Sequence, residues 1–456
     1  MQNNCIKNLL NFKEVQVKNI KNLKDSVEVY VELPKTTQFC PRCAFETSKV
    51  HDYYTQRIKD YPIQFKPTTI FYRKRRYECS VCGKKFYEKN ELVSKYSRKT
   101  TRFVSHIVDE LRNLIAASDI AKKSNISTNF ISRLYPYLAV TNTKLPRVLC
   151  IDEFKGNSGK YKYQVALIDG ETHEVVDILE CRRKHFLCDY FKKFPQEQLD
   201  NVKYVIIDLW ETYKDIAFTY FRKAHIVADH FHFARYACDA VNNIRIDVQK
   251  NLPKKERKYF KHSRKLLLSR QCNLKYDEQK DELSYILINY SESLRTAYRE
   301  KEELLDIIHS KKSSEIKINQ FREWIFRNLE SDIPQLKSCA QTYQHWYINI
   351  VNSLKVPYSN GPTEGFNNKI KVLKRVTFCM KNFTHFKARI LLLNRSEFYY
   401  LHNALKPYVF INYALITYFS DIFIYFCFRH KNIEAENLHG FPPQLLTFNL
   451  YFFYNP

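Results

Sequence analysis

Three acidic residues lie where their carboxylates could act together. Asp152 and Asp208 each follow a hydrophobic strand, and Glu364 lies just inside a predicted helix whose N-cap is Thr363. If the two strands are neighbours, their acidic ends meet at one sheet edge. Carboxylate oxygens are the ligands that Mg²⁺ (or Mn²⁺) prefers, so we predict a divalent metal site at Asp152, Asp208 and Glu364. Each acid taken alone could instead cap a strand or offset a helix dipole.

Asp229 is the alternative second acid of this site. It ends the next predicted strand, which lies about 4.8 Å further from Asp152 in the expected sheet. Its neighbours His230 and His232 either orient DNA and the metal ligands or belong to a ligand cluster themselves. We expect Asp208 rather than Asp229 to complete the site, and the alternative stays open.

Two cysteine pairs have the spacing of a zinc site. Cys40 and Cys43 form one CxxC knuckle, and Cys79 and Cys82 form another, with strand-like sequence between them. Four thiolates on two short hairpins give Zn²⁺ a closed tetrahedral site, so the predicted role is structural. Two unrelated pairs are the alternative. A redox CxxC would need a following helix, which the sequence after Cys82 does not favour.

Composition favours a polyanionic partner. Lys and Arg number 74 against 48 Asp and Glu, and the sequence pI is about 9.4. Nucleic acid is therefore the first expected partner. The odd count of 13 cysteines and the absence of a secretion signal favour the reducing cytoplasm. With seven glycines and neither GxGxxG nor GxxxxGK[ST], nucleotide hydrolysis is not expected.

Two surfaces in the first third of the chain are predicted to contact DNA. The region 1–95 reads as a zinc ribbon whose basic run, Arg73, Lys74, Arg75 and Arg76, would meet phosphates, although a solvated strand edge is the alternative. The region 96–140 has helix-turn-helix spacing, which other small helical bundles can imitate. The residues of its second helix predicted to face a major groove are Thr128, Asn129, Ser132 and Arg133.

The pattern changes to alternating strands and helices after a linker. Residues 147–234 follow the order βββαβαβ, which is that of a ribonuclease-H-like mixed sheet. Residues 235–350 are helical and charged, with Trp324 and Trp346 as predicted core anchors, and they form a helical insertion. Residues 351–400 return to the core with the helix of Glu364, on which Lys371 is a further predicted DNA contact. The fold class is thus α/β plus α.

These residues together resemble the ISL-three family of bacterial insertion-sequence transposases, over about residues 35 to 400. The stretches that carry the resemblance are Ile151-Asp-Glu-Phe154, Ile207-Asp-Leu-Trp210, Val227-Ala-Asp-His-Phe-His232, and Ser359 to Lys371, followed by Phe383 to Leu391. The blocks Val227 to His232 and Ser359 to Lys371 are specific to this family. The zinc ribbon and the helix-turn-helix are shared with many DNA-binding proteins.

The resemblance implies a DDE enzyme for cut-and-paste transposition. Its partners would be double-stranded DNA, as terminal inverted repeats and target, and a second copy of the chain when assembled on DNA at the nucleoid. Two Mg²⁺ ions would assist an in-line displacement at phosphorus. A non-enzymatic DNA-binding regulator and an inactive transposase remnant are the alternatives.

The tail at residues 401–456 departs from the family pattern. Residues 408–428 are apolar, with Asp421 as the single charge. The segment is long enough to span a bilayer. The aromatic, unpatterned end favours a frame-shifted or read-through tail, and membrane insertion is not expected.

Overall fold

The computed structural model describes residues 15–394, apart from 91, 94–96, 140, 142–143 and 379, and apart from the side chains of 157, 362 and 364. The apolar tail predicted at 401–456 lies outside these residues. Within the described ranges, no helix combines the length and the apolar character needed to cross a membrane.

The first sheet holds the amino-terminal region together. Its strands are β1 (Gln16–Asn22), β2 (Val27–Glu32), β5 (Val50–Ile63), β6 (Lys66–Glu78) and β7 (Lys85–Tyr87), and a small hairpin is formed by β3 (Gln38–Phe39) and β4 (Glu46–Thr47). The order is β1-β2-β6-β5, with β7 also pairing with β6. Alternate residues of β2 and β6 face one core, where Val29, Ile58, Ile70 and Tyr72 are buried. The alternation predicted for these strands is confirmed.

Three short helices follow: α1 (Thr101–Glu110), α2 (Ala117–Lys123) and α3 (Thr128–Leu138). The tight turn between α2 and α3 places Asn125 at a positive φ of 49°. Ser127 then caps α3, because its side chain accepts a hydrogen bond from the backbone of Phe130. Ile131 and Leu134 pack inward, as predicted from their spacing.

Polar contacts fix the three helices between two neighbours. On one side, buried Asp60 of β5 accepts hydrogen bonds from Thr100 and Arg102 at the start of α1. On the other side, the fully buried Arg389 donates to the backbone oxygens of Asn113 and Ile115. The helix-turn-helix therefore touches both the first sheet and the carboxy-terminal helix that carries Arg389.

The second sheet has the order β10-β9-β8-β11-β12. Its strands are β8 (Val148–Ser158), β9 (Tyr161–Asp169), β10 (Val175–Leu179), β11 (Tyr204–Ile207) and β12 (His225–Ala228). β11 runs parallel to both β8 and β12, while β9 is antiparallel to its neighbours. The predicted neighbour relation of the strands before Asp152 and Asp208 is confirmed.

Three helices connect these strands: α4 (Lys184–Phe191), α5 (Gln196–Asn201) and α6 (Glu211–Tyr220). Helix α5 was not predicted, since six residues after Pro195 are too few to show a helical period. Strand β8 also continues to Ser158 rather than ending at its acid, because its pairing with β9 extends beyond its pairing with β11.

Eight α-helices and one short 3-10 helix (Gln271–Asn273) lie between β12 and the helix of Glu364 in the described chain, which confirms the helical character predicted there. The α-helices are α7 (His230–Lys250), α8 (Lys254–His262), α9 (Arg264–Leu268), α10 (Asp277–Asn289), α11 (Glu292–His309), α12 (Ser314–Leu329), α13 (Pro334–His345) and α14 (Tyr347–Lys355). Trp324 and Trp346 are buried in the core that covers one face of the second sheet, as predicted.

Two final helices cover the opposite face of the second sheet: α15 (Gly361–Val376) and α16 (Phe383–Asn394). Phe366, Ile370 and Leu373 of α15 pack on the strands together with Phe386 of α16. Helix α15 begins three residues earlier than predicted, so Asn360 rather than Thr363 occupies the N-cap position. Proline at the second helical position suits this earlier start, since the first turn needs no N–H there.

We expect Asp60→Ala to lower the free energy of unfolding by about 2 kcal/mol, because it removes the buried carboxylate that accepts from the hydroxyl of Thr100 and from the guanidinium of Arg102. Urea unfolding of the full chain measures this. Asp52→Ala is the matched control, since the side chains of Asp52 and its partner Arg76 keep 45% and 38% of their surface exposed and such pairs contribute little. Equal losses from both changes would contradict the role given to Asp60.

Candidate active site

Three aspartates form a row across the parallel part of the second sheet. Ile151, Ile207 and Ala228 are direct neighbours in the ladders of β8, β11 and β12. Asp152, Asp208 and Asp229 each follow one of these residues. The row opens into a cavity of about 500 Å³. Its lining consists of Asp152, Glu153, Phe154, Lys155, Asp208, Asp229, Phe231, His232, Asn360, Gly361, Asn367, Ile370, Lys371 and Lys374.

His232 joins two of these acids. Its Nδ1 lies 2.8 Å from Asp208 Oδ1 and 3.1 Å from Asp229 Oδ2. Burial lowers the pKa of His232, but hydrogen bonds to both carboxylates outweigh it and raise the pKa to about 10. Burial likewise raises the pKa of Asp229, yet the hydrogen bonds from His232 and from the backbone N–H of Asn360 leave it below its usual value. The imidazolium thus offsets part of the negative charge of the row.

Asp152 lies at the other end of the row. Its Oδ1 accepts from the backbone N–H of Glu153 at 2.7 Å, and its Oδ2 accepts from Asn367 Nδ2 at 2.9 Å. Burial, followed by the nearby charge of Asp208, raises the pKa of Asp152 to about 7. The structure therefore crowds two carboxylates that a cation would stabilise in their charged forms.

The oxygens of this row suit a hard divalent cation. One ligand atom each of Asp208, Asp229 and His232 lies within 4.8 Å of the others, a grouping that does not include Asp152. Glu364 lies in the first turn of α15, and its side chain is outside the described part of the structure. The predicted set Asp152, Asp208 and Glu364 thus stays a prediction, although its two aspartates lie on adjacent strands.

Four cysteines converge at a second site. Ligand atoms of Cys40, Cys43, Cys79 and Cys82 all lie within 4.8 Å of one another, and three of the sulfur pairs are 3.5 Å apart. Tetrahedral Zn²⁺ with bonds of about 2.3 Å requires sulfurs about 3.8 Å apart. The donor set and its spacing therefore fit a structural zinc.

The two cysteine knuckles share one backbone design. The amide of Ala44 donates to the oxygen of Cys40, and the amide of Gly83 donates to that of Cys79. Both donors have positive φ, at 55° and 64°. The glycine adopts this conformation without strain, whereas the alanine does not. The repeated turn brings both cysteines of each pair to one side.

Two family models match the regions of the chain that contain these two sites. The family model of the ISL3-type DDE transposases, described as a transposase, matches residues 149–390, which run from β8 to α16. A second model, described as the zinc-finger of transposase IS204/IS1001/IS1096/IS1165, matches residues 36–82. The first match covers more than half of the chain. This protein belongs to the ISL3 transposase family. It is an insertion-sequence transposase with a zinc ribbon and a DDE catalytic domain.

A curated relative supports the same conclusion. The transposase for insertion sequence element IS1001 of Bordetella parapertussis is 23% identical over 373 residues, which cover 80% of this chain and 91% of the relative. A protein of Lactococcus lactis subsp. lactis named ATP-dependent protease is 33% identical over 107 residues, which cover 23% of this chain and 32% of that protein. So short a match does not carry that activity to the transposase.

The basic run of the transposase divides between surface and interior. The Arg75 side chain is buried and pairs with Glu88 at 3.2 Å and Glu32 at 3.4 Å. We therefore remove Arg75 from the predicted DNA contacts. Arg73 is exposed and stacks on Tyr53, with its guanidinium carbon 3.9 Å from the ring centroid. Lys74 and Arg76 are half-buried. Strand alternation explains why one of four consecutive cations faces inward.

The predicted reading residues lie on the outer side of α3. Thr128, Asn129 and Arg133 are exposed and Ser132 is half-buried. Lys371 is also exposed, and it lies at the cavity rather than near α3. The predicted DNA contacts thus lie on three different elements, β6, α3 and α15.

Sequence reasoning missed several residues of the cavity, and three of them stand out. Asn360 and Asn367 hydrogen-bond to the aspartates, and Phe231 keeps 60% of its surface exposed at the cavity. The available signal was position, since both asparagines flank Glu364 and Phe231 lies between the two histidines after Asp229.

We predict that replacing Cys79 and Cys82 together by Ser removes about one zinc per chain, because two thiolates cannot hold a structural Zn²⁺. Elemental analysis of the full-length protein measures the metal. Cys272→Ser is the control, since Cys272 is exposed and remote in sequence from the knuckles. Full zinc content in the double variant would refute the assignment.

Proposed function

We propose that this transposase cleaves and joins DNA strands with divalent ions, Mg²⁺ or Mn²⁺, held by Asp152, Asp208 and Glu364. The observation that carries the proposal is the row of acids at one sheet edge. Asp152 and Asp208 follow directly paired residues of adjacent parallel strands, and burial together with the charge of Asp208 raises the pKa of Asp152. Glu364 lies on the helix that crosses this edge.

Asp229 is the weaker candidate for the second acid. Its Oδ1 accepts from the backbone N–H of Asn360 at 2.7 Å, and its Oδ2 lies 3.1 Å from His232 Nδ1. Both oxygens thus have partners within the protein, and Asp229 is only 2% exposed. Asp152 accepts hydrogen bonds at both oxygens as well, so it is the deeper burial of Asp229, against 16% exposure of the Asp208 side chain, that favours Asp208 as the ligand.

The chain's own residues would place the DNA strand across this cavity. Lys371 and Lys374 of α15 and Lys155 of β8 line it and offer positive charge to phosphate oxygens. When bound, divalent ions supply activation of the attacking oxygen and stabilisation of the leaving oxygen. The remaining tasks of orientation and water exclusion fall to the walls, which include Phe154, Phe231 and Ile370.

The fold that carries this site is proposed to be ribonuclease-H-like. Three antiparallel strands, β10, β9 and β8, continue into parallel β11 and β12, as the predicted order requires. Helices α7 to α14 then separate β12 from α15. We interpret them as an insertion, because the chain leaves the sheet after β12 and returns to the same edge at Asn360.

The DNA partners are proposed to be the terminal inverted repeats of the element and its target. Helix α3 would read sequence through its exposed polar side chains, while Arg73, Lys74 and Arg76 attract phosphates of any sequence. A dimer on DNA and a location at the cytoplasmic nucleoid are part of this proposal, and the thiolates of a zinc ribbon suit a reducing compartment.

Alanine variants test the metal acids. We expect Asp152→Ala, Asp208→Ala and Glu364→Ala each to lower strand cleavage by at least about 10³-fold with DNA binding retained, because carboxylates that hold the metal contribute to the reaction rather than to affinity. The assay uses Mg²⁺ and DNA from the two flanks of the gene.

This assay has one control variant and two outcomes that would contradict the proposal. Asp189→Ala, which removes an exposed acid of α4, should cleave as the wild type does. Normal cleavage by Asp208→Ala together with loss in Asp229→Ala would show that the second acid is Asp229. Full cleavage by all three variants would reject Asp152, Asp208 and Glu364 as the metal ligands.

A salt titration tests the division between DNA surfaces. Replacing Arg73, Lys74 and Arg76 by Ala should weaken binding to all DNA alike and reduce the slope of log affinity against log salt by about two to three. Arg133→Ala should chiefly reduce discrimination between element ends and random DNA. Identical behaviour of the two variants would contradict separate roles.

A further inference from the structure

Helix α15 holds the two outer aspartates of the row, each through one asparagine. The backbone N–H of Asn360 donates to Asp229 Oδ1 at 2.7 Å, and the side chain of Asn367 donates to Asp152 Oδ2 at 2.9 Å. Asp229 follows β12 and Asp152 follows the part of β8 that pairs with β11. The helix is therefore attached on both sides of β11.

The spacing of these contacts matches the sheet. Seven residues of helix rise about 10.5 Å, and two strand spacings amount to about 9.6 Å. Positions 360 and 367 are two helical turns apart on one side of α15, so one residue stands over β12 while the other stands over β8. Position 364, between them on the same side, falls over β11, whose end carries Asp208.

Asn360 is not used as an ordinary helix cap. It occupies the N-cap position, yet its side chain makes no capping hydrogen bond. Asp229 instead accepts the N–H at this helix end, where the partial positive charge of the helix favours a carboxylate. His232 holds the other oxygen of Asp229 and also lies 2.8 Å from Asp208. Asp229 thus ties the helix start to the row.

We propose that Asp229 and Asn367 are positioning residues that form the two ends of a clamp on helix α15. The clamp fixes the register of the helix across the strand ends and so sets the separation of Asp152, Asp208 and position 364. It deepens the proposed metal site and rests on that proposal. The two residues act through the metal ligands rather than on the DNA.

The clamp predicts a change in metal dependence. Without Asn367, Asp152 loses a donor that orients it, and partners of ligating carboxylates typically contribute 10–100-fold to metal affinity or activity. We expect Asn367→Ala to raise the Mg²⁺ concentration for half-maximal cleavage at least about 10-fold, with the rate recovering to within about threefold of wild type at saturating Mg²⁺.

The experiment uses the full-length zinc-loaded protein and DNA from the flanks of its gene. Cleavage is titrated with Mg²⁺, and Mn²⁺ binding to the same protein is measured by electron paramagnetic resonance without reference to activity. Asn368→Ala is the matched control, because Asn368 is the adjacent residue of the same type, is exposed and is not among the residues lining the cavity. Thermal unfolding of each variant reports whether it folds.

A weaker Mn²⁺ site and a shifted Mg²⁺ titration in Asn367→Ala, with neither change in Asn368→Ala, support the clamp. Unchanged metal dependence in Asn367→Ala overturns it, even if the melting temperature falls. Should Asn367→Ala not fold, Asn367→Ser replaces it, and the same shift is expected because a hydroxyl one atom shorter cannot span the distance to Asp152.

The other end of the clamp has its own test. Asp229→Asn keeps an oxygen that can accept from the Asn360 N–H, so it should shift the Mg²⁺ titration less than Asp229→Ala. Equal loss of Mn²⁺ affinity in Asp229→Asn and Asp208→Asn would make Asp229 a ligand and overturn its positioning role. Glu364→Gln separates the two proposals: wild-type metal binding and cleavage there would reject the metal site itself.

Discussion

Repulsion between buried carboxylates is the constraint on which the catalytic half of this transposase depends. Asp152 is 8% exposed, and burial together with the charge of Asp208 raises its pKa to about 7. Such a site is held only if its surroundings offset the charge. His232, the N-terminal end of α15 and the amide of Asn367 do so from three directions. Helices that follow β12 supply all three, one from α7 and two from α15, which explains why the site needs the whole fold.

The amino-terminal half depends on a different interaction. Around the cysteine knuckles, Phe39, Phe45 and Val81 remain 67%, 48% and 64% exposed. Burial of apolar surface therefore contributes little to holding the two hairpins together, and the thiolate cluster must do so through its metal. In the first sheet, by contrast, Ile58 of β5 and Ile70 of β6 are fully buried, and this core needs no metal. The zinc ribbon is thus locally metal-dependent within a region that has its own core.

Much of this organisation was predictable because it follows from local periodicity. Alternation located β2 and β6, the order of strands and helices placed Asp152 beside Asp208, and the CxxC spacing identified all four cysteines. Arg75 was misplaced because a run of cations does not reveal which member faces inward. The contacts of Asn360 and Asn367 could not be foreseen, since they depend on how α15 crosses strands more than 100 residues away in the chain.

The choice between Asp208 and Asp229 shows the same limit within one site. Strand position ranks the two acids by their distance from Asp152, and that much the sequence allows. The two acids differ in the groups that surround them in the folded chain. Asp229 has both oxygens bound by the chain itself, one by a helix end and one by His232, whereas Asp208 lies at the centre of the row with His232 alone beside it among the described side chains. Hydrogen bonding alone does not exclude a carboxylate as a ligand, since Asp152 also accepts at both oxygens. Burial separates the two candidates, because the side chain of Asp208 is 16% exposed and that of Asp229 is 2% exposed. The central acid is therefore the one that a metal ion can reach.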